Sequence, residues 1–518
     1  MIATATSRLR RFQIVGAIGL AGAALSSPAI ALGGKPALDR DTIVFGIGKE
    51  IGNLDGQVAA TGDSQRYGFQ LYDTLYAFDL KGNLQPSVAT AVQIAPDGRT
   101  YTFTLRKDVR FHNGALLTSK DVKFSLERIL KPETKSTRRP YFASLIDGID
   151  APSDTTVAIR LKRADGAFLN KIAGYLLLVP KDYTESLPTP EAFARAPVGS
   201  GPFKFVEQKI GRTVELARFD GYWGPKPGIK RLVFKLIPDP ASRVNAVLAS
   251  EADIVDYIPT ADVERLKANA GLIVKPVPVG SPLAVRLYSN VPGTPLANRK
   301  VRLALNHALD TQSIIKNVLH GVGAPLASYI SSVYPYGVDP ALKPYAYDRA
   351  LAKKLLAEGG YPNGFESELL CPSDIPKDLC EVISAYWSTI GVRTSVKVMD
   401  YTAWSRLNNT HKGGPMSMMQ FSNAIYDPIH PIQGAASKDG TWSDYSNPDV
   451  ERLIAEGDAE ADRAKRDQIF RKIGRVLHED GHAVLLTELY YTFAQDAKVE
   501  WTPQFGSGYY NLRNVRWK

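Results

Sequence analysis

The chain has 518 residues, of which 44% are hydrophobic and 22% are charged. This composition supports a large apolar core and excludes a disordered or collagen-like polymer, and the length predicts two or three subdomains. The net charge of +10 is not gathered into a basic stripe interleaved with aromatic residues, which argues against a nucleic-acid partner.

Residues 1–31 are typical of a signal peptide. Three arginines precede an apolar stretch, 14–25, that is too short to span a bilayer. Residues 29–31 fit the small-x-small pattern of signal peptidase, so we expect cleavage after Ala31 and a mature net charge of +7. The pair Arg10-Arg11 leaves Sec and twin-arginine export both open.

The mature chain carries neither an early cysteine for lipid attachment nor a stretch of roughly 18 apolar residues. We therefore expect a periplasmic, monomeric protein without a lipid anchor and without membrane insertion.

Strand and helix signals alternate along the first half of the chain. Apolar alternation predicts strands at 42–45 and, after a Pro-Asp-Gly turn, at 101–105. Four-residue spacing predicts a helix from near Asp63, and Thr118 with Asp121 is typical of a capping box at the start of another.

The second half repeats this alternation. Helices are predicted after Asp310, ending at Gly321, and after Asp348, ending at Gly359. A helical stripe at 379–390 precedes a strand at 392–398, and a long amphipathic helix covers 469–477. The fold class is mixed α/β, and such chains usually form lobes that bind ligands in the crevice between them.

Cys371 and Cys380 are the only cysteines, which rules out a disulfide-rich scaffold or a multi-cysteine metal site. In an oxidising compartment they predict a local disulfide worth about 2–3 kcal/mol. A redox pair is the alternative, but its cysteines would be two positions apart near a helix start.

The segment His478-Glu-Asp-Gly-His482 matches the H-E-x-x-H motif of zinc peptidases. Zinc binding needs both histidines on one helical face and a third ligand. The Asp-Gly pair predicts that the helix ends between the two histidines, and no histidine follows. We interpret the match as chance and predict neither metal, cofactor nor catalysis.

A glycine-rich segment, Gly46-Ile-Gly48-Lys-Glu-Ile-Gly52, follows the first strand. The spacing departs from a dinucleotide-binding loop and no clear helix follows, so it predicts a turn. The other histidines show no metal-ligand spacing. Binding is therefore favoured over catalysis.

Several motifs together resemble the extracytoplasmic solute-binding proteins of family 5, which serve peptide, nickel and opine ABC importers. They are Leu84-Gln-Pro-Ser-Val-Ala89, Pro96–Arg106, Val109–Gly114, Leu117–Val122, Gly199-Ser-Gly-Pro-Phe203, Tyr222-Trp-Gly224, Val301–Leu305, Ala308-Leu-Asp310, Ile390-Gly-Val392 and Tyr445-Ser-Asn-Pro448. They cover nearly the whole mature chain in order.

The resemblance implies a two-lobed periplasmic-binding-protein clamshell of the large class, with mixed sheets and a hinge made by two chain crossings. Lobe one would comprise 33–68, 192–280 and 488–518, with an accessory subdomain at 69–191. Lobe two would be 281–487. The crossings would lie near Val279-Gly280 and Thr487-Glu488, and closure over the solute would be recognised by the permease.

The resemblance also implies that an extended solute lies between two backbone segments. The first follows Leu54-Asp55-Gly56 and comprises Ala60, Thr61, Gly62 and Asp63. The second precedes Asp427-Pro428 and comprises Phe421, Ser422, Asn423 and Ala424; we call 421–424 the ligand strand.

The chain departs from the family pattern at Ala424, where peptide binders carry an aspartate that pairs with the α-ammonium of the ligand. An unpaired buried ammonium costs several kcal/mol. Either another acid, such as Asp63 or Asp427, takes this role, or the solute lacks a primary ammonium there, as opines, blocked or γ-linked peptides and sugar-acid conjugates would.

Other candidate cleft residues lie in lobe two. Aromatic side chains could form walls of the cleft: Tyr401, Trp404, Phe421, Tyr426 and Trp442. Arg286 could bind a carboxylate bidentately. Three methionines, Met416, Met418 and Met419, predict core packing.

The sequence thus predicts the substrate-binding component of an ABC importer for a peptide-like or opine-like solute. An exported zinc metallopeptidase, a non-transport receptor or chaperone on the same fold, and a metal-chelate carrier remain alternatives.

Overall fold

The computed structural model describes residues 41–58, 67–420, 423–504 and 510–518. The strands in these ranges are β1 (Thr42–Ile47), β2 (Tyr76–Phe78), β3 (Leu84–Pro86), β4 (Ala89–Ile94), β5 (Thr100–Leu105), β6 (Ile146–Ser153), β7 (Thr156–Leu161), β8 (Phe203–Lys209), β9 (Thr213–Arg218), β10 (Arg231–Leu236), β11 (Ile254–Val255), β12 (Leu272–Leu287), β13 (Phe365–Pro372), β14 (Val392–Met399), β15 (Met416–Gln420), β16 (Ala483–Asp496), β17 (Val499–Glu500) and β18 (Arg516–Trp517).

The helices in the same ranges are α1 (Ser119–Leu130), α2 (Arg139–Ala143), α3 (Phe168–Tyr175), α4 (Lys181–Ser186), α5 (Ala192–Arg195), α6 (Pro240–Leu248), α7 (Val263–Lys267), α8 (Arg299–His307), α9 (Thr311–Asn317), α10 (Arg349–Glu358), α11 (Lys377–Ser388), α12 (Tyr401–Asn409), α13 (Ile429–Ala436), α14 (Pro448–Ala459) and α15 (Arg463–Asp480). Residues 67–71 are also helical. In the described ranges, no helix is long and apolar enough to cross a membrane.

A ten-stranded mixed sheet runs through the molecule in the order β14-β13-β15-β12-β16-β11-β1-β10-β9-β8. Its two longest strands, β12 and β16, are neighbours and antiparallel to each other. Residues 272–278 of β12 and 490–496 of β16 pair with each other on the lobe-one side, next to β11. The remaining residues of both strands lie on the lobe-two side, next to β15. The chain therefore passes twice between two halves of one sheet, which is the clamshell architecture.

The pairing of β12 with β16 is irregular in the middle of both strands. The register shifts between Pro278 and Pro282, and Gly280 has a φ of +65°, which glycine adopts without steric cost. Beyond the shift, Pro282 lies opposite Glu488. The predicted chain crossings, Val279-Gly280 and Thr487-Glu488, fall at this irregularity, and the lobe boundaries drawn there stay a prediction.

The accessory region contains a separate antiparallel sheet in the order β4-β5-β7-β6. Alternating residues of β5 and β7 are buried, and α1 packs against the sheet. Apolar residues of this sheet share one core with residues of lobe two, among them Ile429 and Phe470. The accessory region and lobe two are therefore in contact in this structure.

The helix starts predicted from capping residues are found in the structure. Thr118 and Asp121 form the capping box of α1, and the Thr118 N–H donates to the Asp121 carboxylate at 2.9 Å. Asp348 caps α10, which ends before Gly359 as predicted. The helix after Asp310 ends at Asn317 rather than at Gly321, because Val318–Gly321 form a turn.

The predicted disulfide joins Cys371 at the end of β13 to Cys380 in α11. The three methionines of β15 are buried, as their pattern predicted: Met416, Met418 and Met419.

The helix that carries the H-E-x-x-H match ends at Asp480, and Gly481 terminates it with a φ of +59°. His478 stacks on the Tyr345 ring at 4.0 Å, whereas His482 lies buried against the rings of Tyr329 and Tyr445. The two imidazoles have different surroundings. Among the described residues, no group of three or more His, Cys, Asp or Glu side chains is arranged to hold a metal.

Candidate functional site

The strand directions define a cleft between the two lobes. In lobe one, β1 and β11 are parallel, and β11 is antiparallel to β16, so both end towards the hinge. In lobe two, β13, β14 and β15 are parallel, and β15 is antiparallel to β12, so these three also end towards the hinge. Carboxyl ends from both lobes thus face each other, which is where open α/β sheets bind ligands.

The lobe-one side of the cleft presents Lys49, just after β1, and Tyr257, just after β11. These loops are held in place because the Gly48 N–H donates to Asp256 at 2.9 Å, and Arg243 donates to the carbonyls of Asp256 and Tyr257 at 3.0 and 3.2 Å. The backbone of Tyr257 has a φ of +48°, which residues other than glycine rarely adopt. Such backbone conformations are often found at functional sites.

Aromatic rings line the base of this side. Tyr257 packs against Tyr491 of β16 with ring centroids 4.6 Å apart, and the Lys49 ammonium lies 5.7 Å from the Tyr257 ring. Flat rings and a cation in one wall suit a solute with an extended, partly apolar backbone and a carboxylate.

The lobe-two side presents Asp374, just after β13, and Tyr401, at the start of α12. Gln420, the last residue of β15, donates to Asp374 at 3.3 Å. Burial raises the pKa of Asp374, and the charge of Lys49 on the opposite lobe lowers it in part. Burial, Asp374 and Tyr491 all raise the pKa of Tyr401. Opposite charges therefore face each other across the cleft.

The hinge forms the floor of the cleft, and Tyr334 connects it to the ligand strand. The Tyr334 hydroxyl donates to the Gly280 carbonyl at 2.6 Å and also bonds the Asn423 side chain. Asn423 itself is buried and donates to the Asp427 carbonyl at 2.8 Å. The described end of the ligand strand is thus fastened directly to a hinge residue.

Six of the predicted ligand residues lie outside the described ranges: Ala60, Thr61, Gly62, Asp63, Phe421 and Ser422. Ala424 is described and is 8% exposed. Its neighbour Ile425 accepts a hydrogen bond from Asn170 of the accessory region at 2.8 Å.

A cavity of about 200 Å³ adjoins this contact, between the accessory region and lobe two. Its walls include Leu84, Tyr101, Asn170, Tyr336 and Arg466. It is large enough for one side group of a small solute.

Asp427 is already paired within the protein. Both its oxygens accept hydrogen bonds from Arg466 at 2.7 Å, and Tyr336 and the Ile429 N–H add further bonds at 2.5 and 2.9 Å. Asp427 and Arg466 are both buried. An ammonium would have to compete with the Arg466 guanidinium for these oxygens, and a contact between Asp427 and the solute stays a prediction.

Arg286 is engaged in the same way. Its guanidinium pairs with Asp444, bonds Asn408 at 3.2 Å and faces His411. The residue is buried within lobe two, so a solute carboxylate would have to displace Asp444. The pairing with Asp444 explains why an arginine is buried in this apolar strand, which the sequence alone could not show.

The predicted aromatic residues are in two places. Tyr401, Trp404 and Trp442 are neighbours, with successive ring centroids 5.5 and 5.4 Å apart. Tyr401 is exposed towards the cleft side, whereas Trp404 is buried and donates to Ser417. Tyr426 is buried against Phe78 of the accessory region.

Sequence reasoning did not nominate Lys49, Tyr257, Asp374 or Tyr491 for the cleft, and it named Glu488 only as part of a predicted chain crossing. Lys49 and Asp374 each follow a strand, so the carboxyl-end rule could have nominated them. The other three become notable only once the positions of the hinge and of the two lobes are known.

The comparisons with known proteins agree with this geometry. The family model described as "Bacterial extracellular solute-binding proteins, family 5 Middle" matches residues 83–443. Heme-binding protein A of Haemophilus influenzae is 28% identical over 445 residues, which are 79% of this chain and 80% of that protein. The dipeptide-binding protein of Escherichia coli K12 is 29% identical over 454 residues, covering 80% and 83%.

Among solved structures, the periplasmic binding protein AgaA of A. tumefaciens R10, in complex with agropinic acid, matches with a TM-score of 0.75 and 26% identity. The match covers 92% of this chain and 99% of AgaA. The chain therefore belongs to the bacterial extracellular solute-binding proteins of family 5.

Proposed function

We propose that this protein captures a peptide-like or opine-like solute between its lobes, in the periplasm, and delivers it unaltered to the permease of an ABC importer. One observation carries the proposal: in a member of a solute-binding family, the carboxyl ends of strands from two lobes face each other across two chain crossings. Such a site binds by closure and requires no reacting group.

The cleft chemistry supports a solute of this class. Tyr257 and Tyr491 offer ring faces, Lys49 offers a cation for a carboxylate, and Asp374 offers an acceptor on the opposite lobe. Backbone groups of 60–63 and of the ligand strand would bind the extended chain of the solute. The cavity beside Asn170 would receive one of its side groups.

The same proposal includes export with removal of residues 1–31, a monomeric mature protein and the permease subunits of an ABC transporter as its protein partner. In this structure the accessory region contacts lobe two, and contacts that depend on lobe closure would give the permease a way to distinguish loaded from empty protein. One contact between the accessory region and lobe two is the hydrogen bond from the Gly166 N–H to the Asp458 carbonyl at 2.7 Å.

The proposal is tested by calorimetry and small-angle scattering with a solute panel of the dipeptide Met-Leu, glutathione, agropinic acid and haemin. We expect at least one solute to bind with micromolar or tighter affinity, which corresponds to about −8 kcal/mol, and to reduce the radius of gyration. Mass spectrometry of the recovered solute should show no chemical change.

A matched pair of variants locates the site. Tyr257→Ala should weaken binding of the same solute by about 10-fold through loss of ring contact. Tyr347→Ala, an exposed tyrosine of lobe two, should leave it unchanged. Binding without any change in scattering, or turnover of the solute, would refute the proposal; binding only of a macromolecule would favour a receptor or chaperone.

A further inference from the structure

Glu488 is a buried acid at the hinge. It lies on β16 directly opposite Pro282, where the chain crosses from lobe two back to lobe one. Only 1% of the residue is exposed. The carboxylate thus lies at the floor of the cleft, shielded from water.

The carboxylate has no strong partner. Among the described residues no lysine, arginine or histidine forms an ion pair with it, and the donors around it are uncharged. The backbone of Gly280 and Ser281 from β12, together with Ser331 and Ser332, surrounds it and favours its ionised form. The nearby titratable groups are Tyr334 and Tyr490, and neither is cationic.

An ionised carboxylate in such a place costs several kcal/mol unless a cation compensates it. Burial accordingly raises the pKa of Glu488 to about 7. The described residues around Glu488 supply uncharged donors but no positive charge. A cationic group of the solute could therefore act as the partner of this carboxylate.

The position of Glu488 relative to the ligand strand supports this interpretation. Glu488 raises the pKa of Tyr334, and the same hydroxyl bonds Asn423, so a single side chain separates the carboxylate from the ligand strand. The position that carries the ammonium-binding acid in peptide binders is Ala424, the next residue along. Asp427 and Asp444, the other buried acids nearby, are already paired with arginines.

We propose that Glu488 accepts a hydrogen bond from a protonated amine of the bound solute, in place of the acid that is absent at Ala424. The inference rests on the proposed function and narrows it, because it assigns the solute a primary or secondary ammonium group that reaches the hinge.

The proposal has a proton-linked consequence. In the empty protein near pH 6 the carboxyl is mostly protonated, and an approaching ammonium favours the ionised form. Binding of an amine should therefore release up to one proton at pH 6. At pH 8 Glu488 is already mostly ionised and the free α-amine is about half deprotonated, so binding should instead take up about half a proton. A purely structural Glu488 would produce no such release.

The experiment compares two matched probes, Met-Leu and N-acetyl-Met-Leu, with agropinic acid as a third probe that lacks a basic amine. Calorimetry at pH 6 and pH 8, in two buffers of different ionisation enthalpy, measures the dissociation constant and the protons released. The proteins are wild type, Glu488→Gln, Asp374→Asn, Asp63→Asn and the exposed control Glu264→Gln.

We expect wild type to bind Met-Leu at least about 30-fold more tightly than its acetylated form, with tighter binding at pH 8. Glu488→Gln should lose that preference and the proton release, and Glu264→Gln should keep both. Tighter binding of agropinic acid or of the acetylated probe would overturn the inference and leave the proposed function standing. Loss of the preference in Asp374→Asn or Asp63→Asn, and not in Glu488→Gln, would also overturn it.

Two readouts keep the test independent of any folding defect. The wild-type proton release needs no variant, and its absence alone overturns the inference. Failure of every probe to bind or to close the lobes would instead count against the proposed function, and with it the inference.

Discussion

Arg466 binds both carboxylate oxygens of Asp427 through one nitrogen, at 2.7 Å from each, and both side chains are buried. Burial would lower the pKa of Arg466, but the charge of Asp427 and the hydrogen bonds to Asp427 and Tyr336 raise it overall. The pair joins α15 to the segment that follows the ligand strand. It therefore sets the position of that segment without needing to contact solute.

Removing one member of this pair should destabilise the protein strongly. Asp427→Asn and Arg466→Met each leave a buried group uncompensated, and we expect each to lower the free energy of unfolding by about 3–5 kcal/mol. The double variant should lose less than the two losses added together. Urea unfolding at pH 7 measures all three, and Arg452→Met, which removes an exposed ion pair with Glu456, is the control with almost no loss.

A small loss in Asp427→Asn, below about 1 kcal/mol, combined with a large loss of amine binding, would contradict this assignment. Asp427 would then be the acid that contacts the solute.

Tyr334 should contribute to solute affinity through its hydroxyl. Tyr334→Phe removes the bond to the Gly280 carbonyl and the contact with Asn423, so the closed arrangement should lose about 1–2 kcal/mol. We expect the dissociation constant of the tightest-binding solute of the panel to rise about 5- to 30-fold.

Tyr329→Phe is the matched control for this prediction. The Tyr329 hydroxyl is buried and makes no hydrogen bond to any described residue, so its removal should leave affinity unchanged. Equal effects of the two variants would mean that the Tyr334 hydroxyl has no special role.

The parts of the fold that depend on neighbours in the chain could be predicted from sequence. The capping box at Thr118 and Asp121 and the helix end at Gly481 each involve residues a few positions apart. The Asp-Gly pair after His478 was enough to argue that the H-E-x-x-H match does not lie on one helix. The resemblance to a family then supplied the two-lobed architecture, which local signals cannot give.

The cleft could be predicted only in part, because its members come from distant segments. Lys49 and Asp374 face each other only after β1 and β13 have joined different lobes. Arg286 is in an apolar strand, and nothing in that strand indicates that Asp444 neutralises it. In the sequence, Glu488 is one acidic residue within a predicted strand. Its lack of a cationic partner among the described residues follows from the folded hinge and cannot be predicted from the strand alone.

The disulfide should stabilise the protein by about 2–3 kcal/mol, because it closes a loop of about ten residues in the unfolded chain. Both cysteines are buried in lobe two, and the loop that they close contains Asp374. Urea unfolding of the oxidised protein, compared with the same protein reduced by dithiothreitol, measures the difference. Equal stability in the two states, with thiol titration confirming reduction, would contradict the prediction.

Glu488 should make stability fall as the pH rises. Its pKa is near 4.5 in the unfolded chain and about 7 in the folded protein, so between these values the folded state binds more protons. The free energy of unfolding contributed by this group is therefore fully present below pH 4.5 and is lost as the pH rises through 7. The shift corresponds to about 3 kcal/mol.

Glu488→Gln should remove this dependence, because glutamine does not titrate. Urea unfolding at pH 5, 6, 7 and 8 measures the free energy of unfolding of both proteins. The value of the variant should rise relative to that of wild type as the pH increases and should be the larger of the two at pH 8. The buried histidines His112 and His482, whose pKa values burial lowers to about 4, act in the opposite direction. They are present in both proteins, so the difference between the two curves isolates Glu488.

A variant that is more stable than wild type at pH 8 but binds the amine probe more weakly would show that the hinge carboxylate costs stability and contributes to recognition. Parallel stability curves would mean that a group beyond the described residues already compensates Glu488. A solute amine could then gain nothing by pairing with it, and the selectivity for amines would have to arise elsewhere in the cleft.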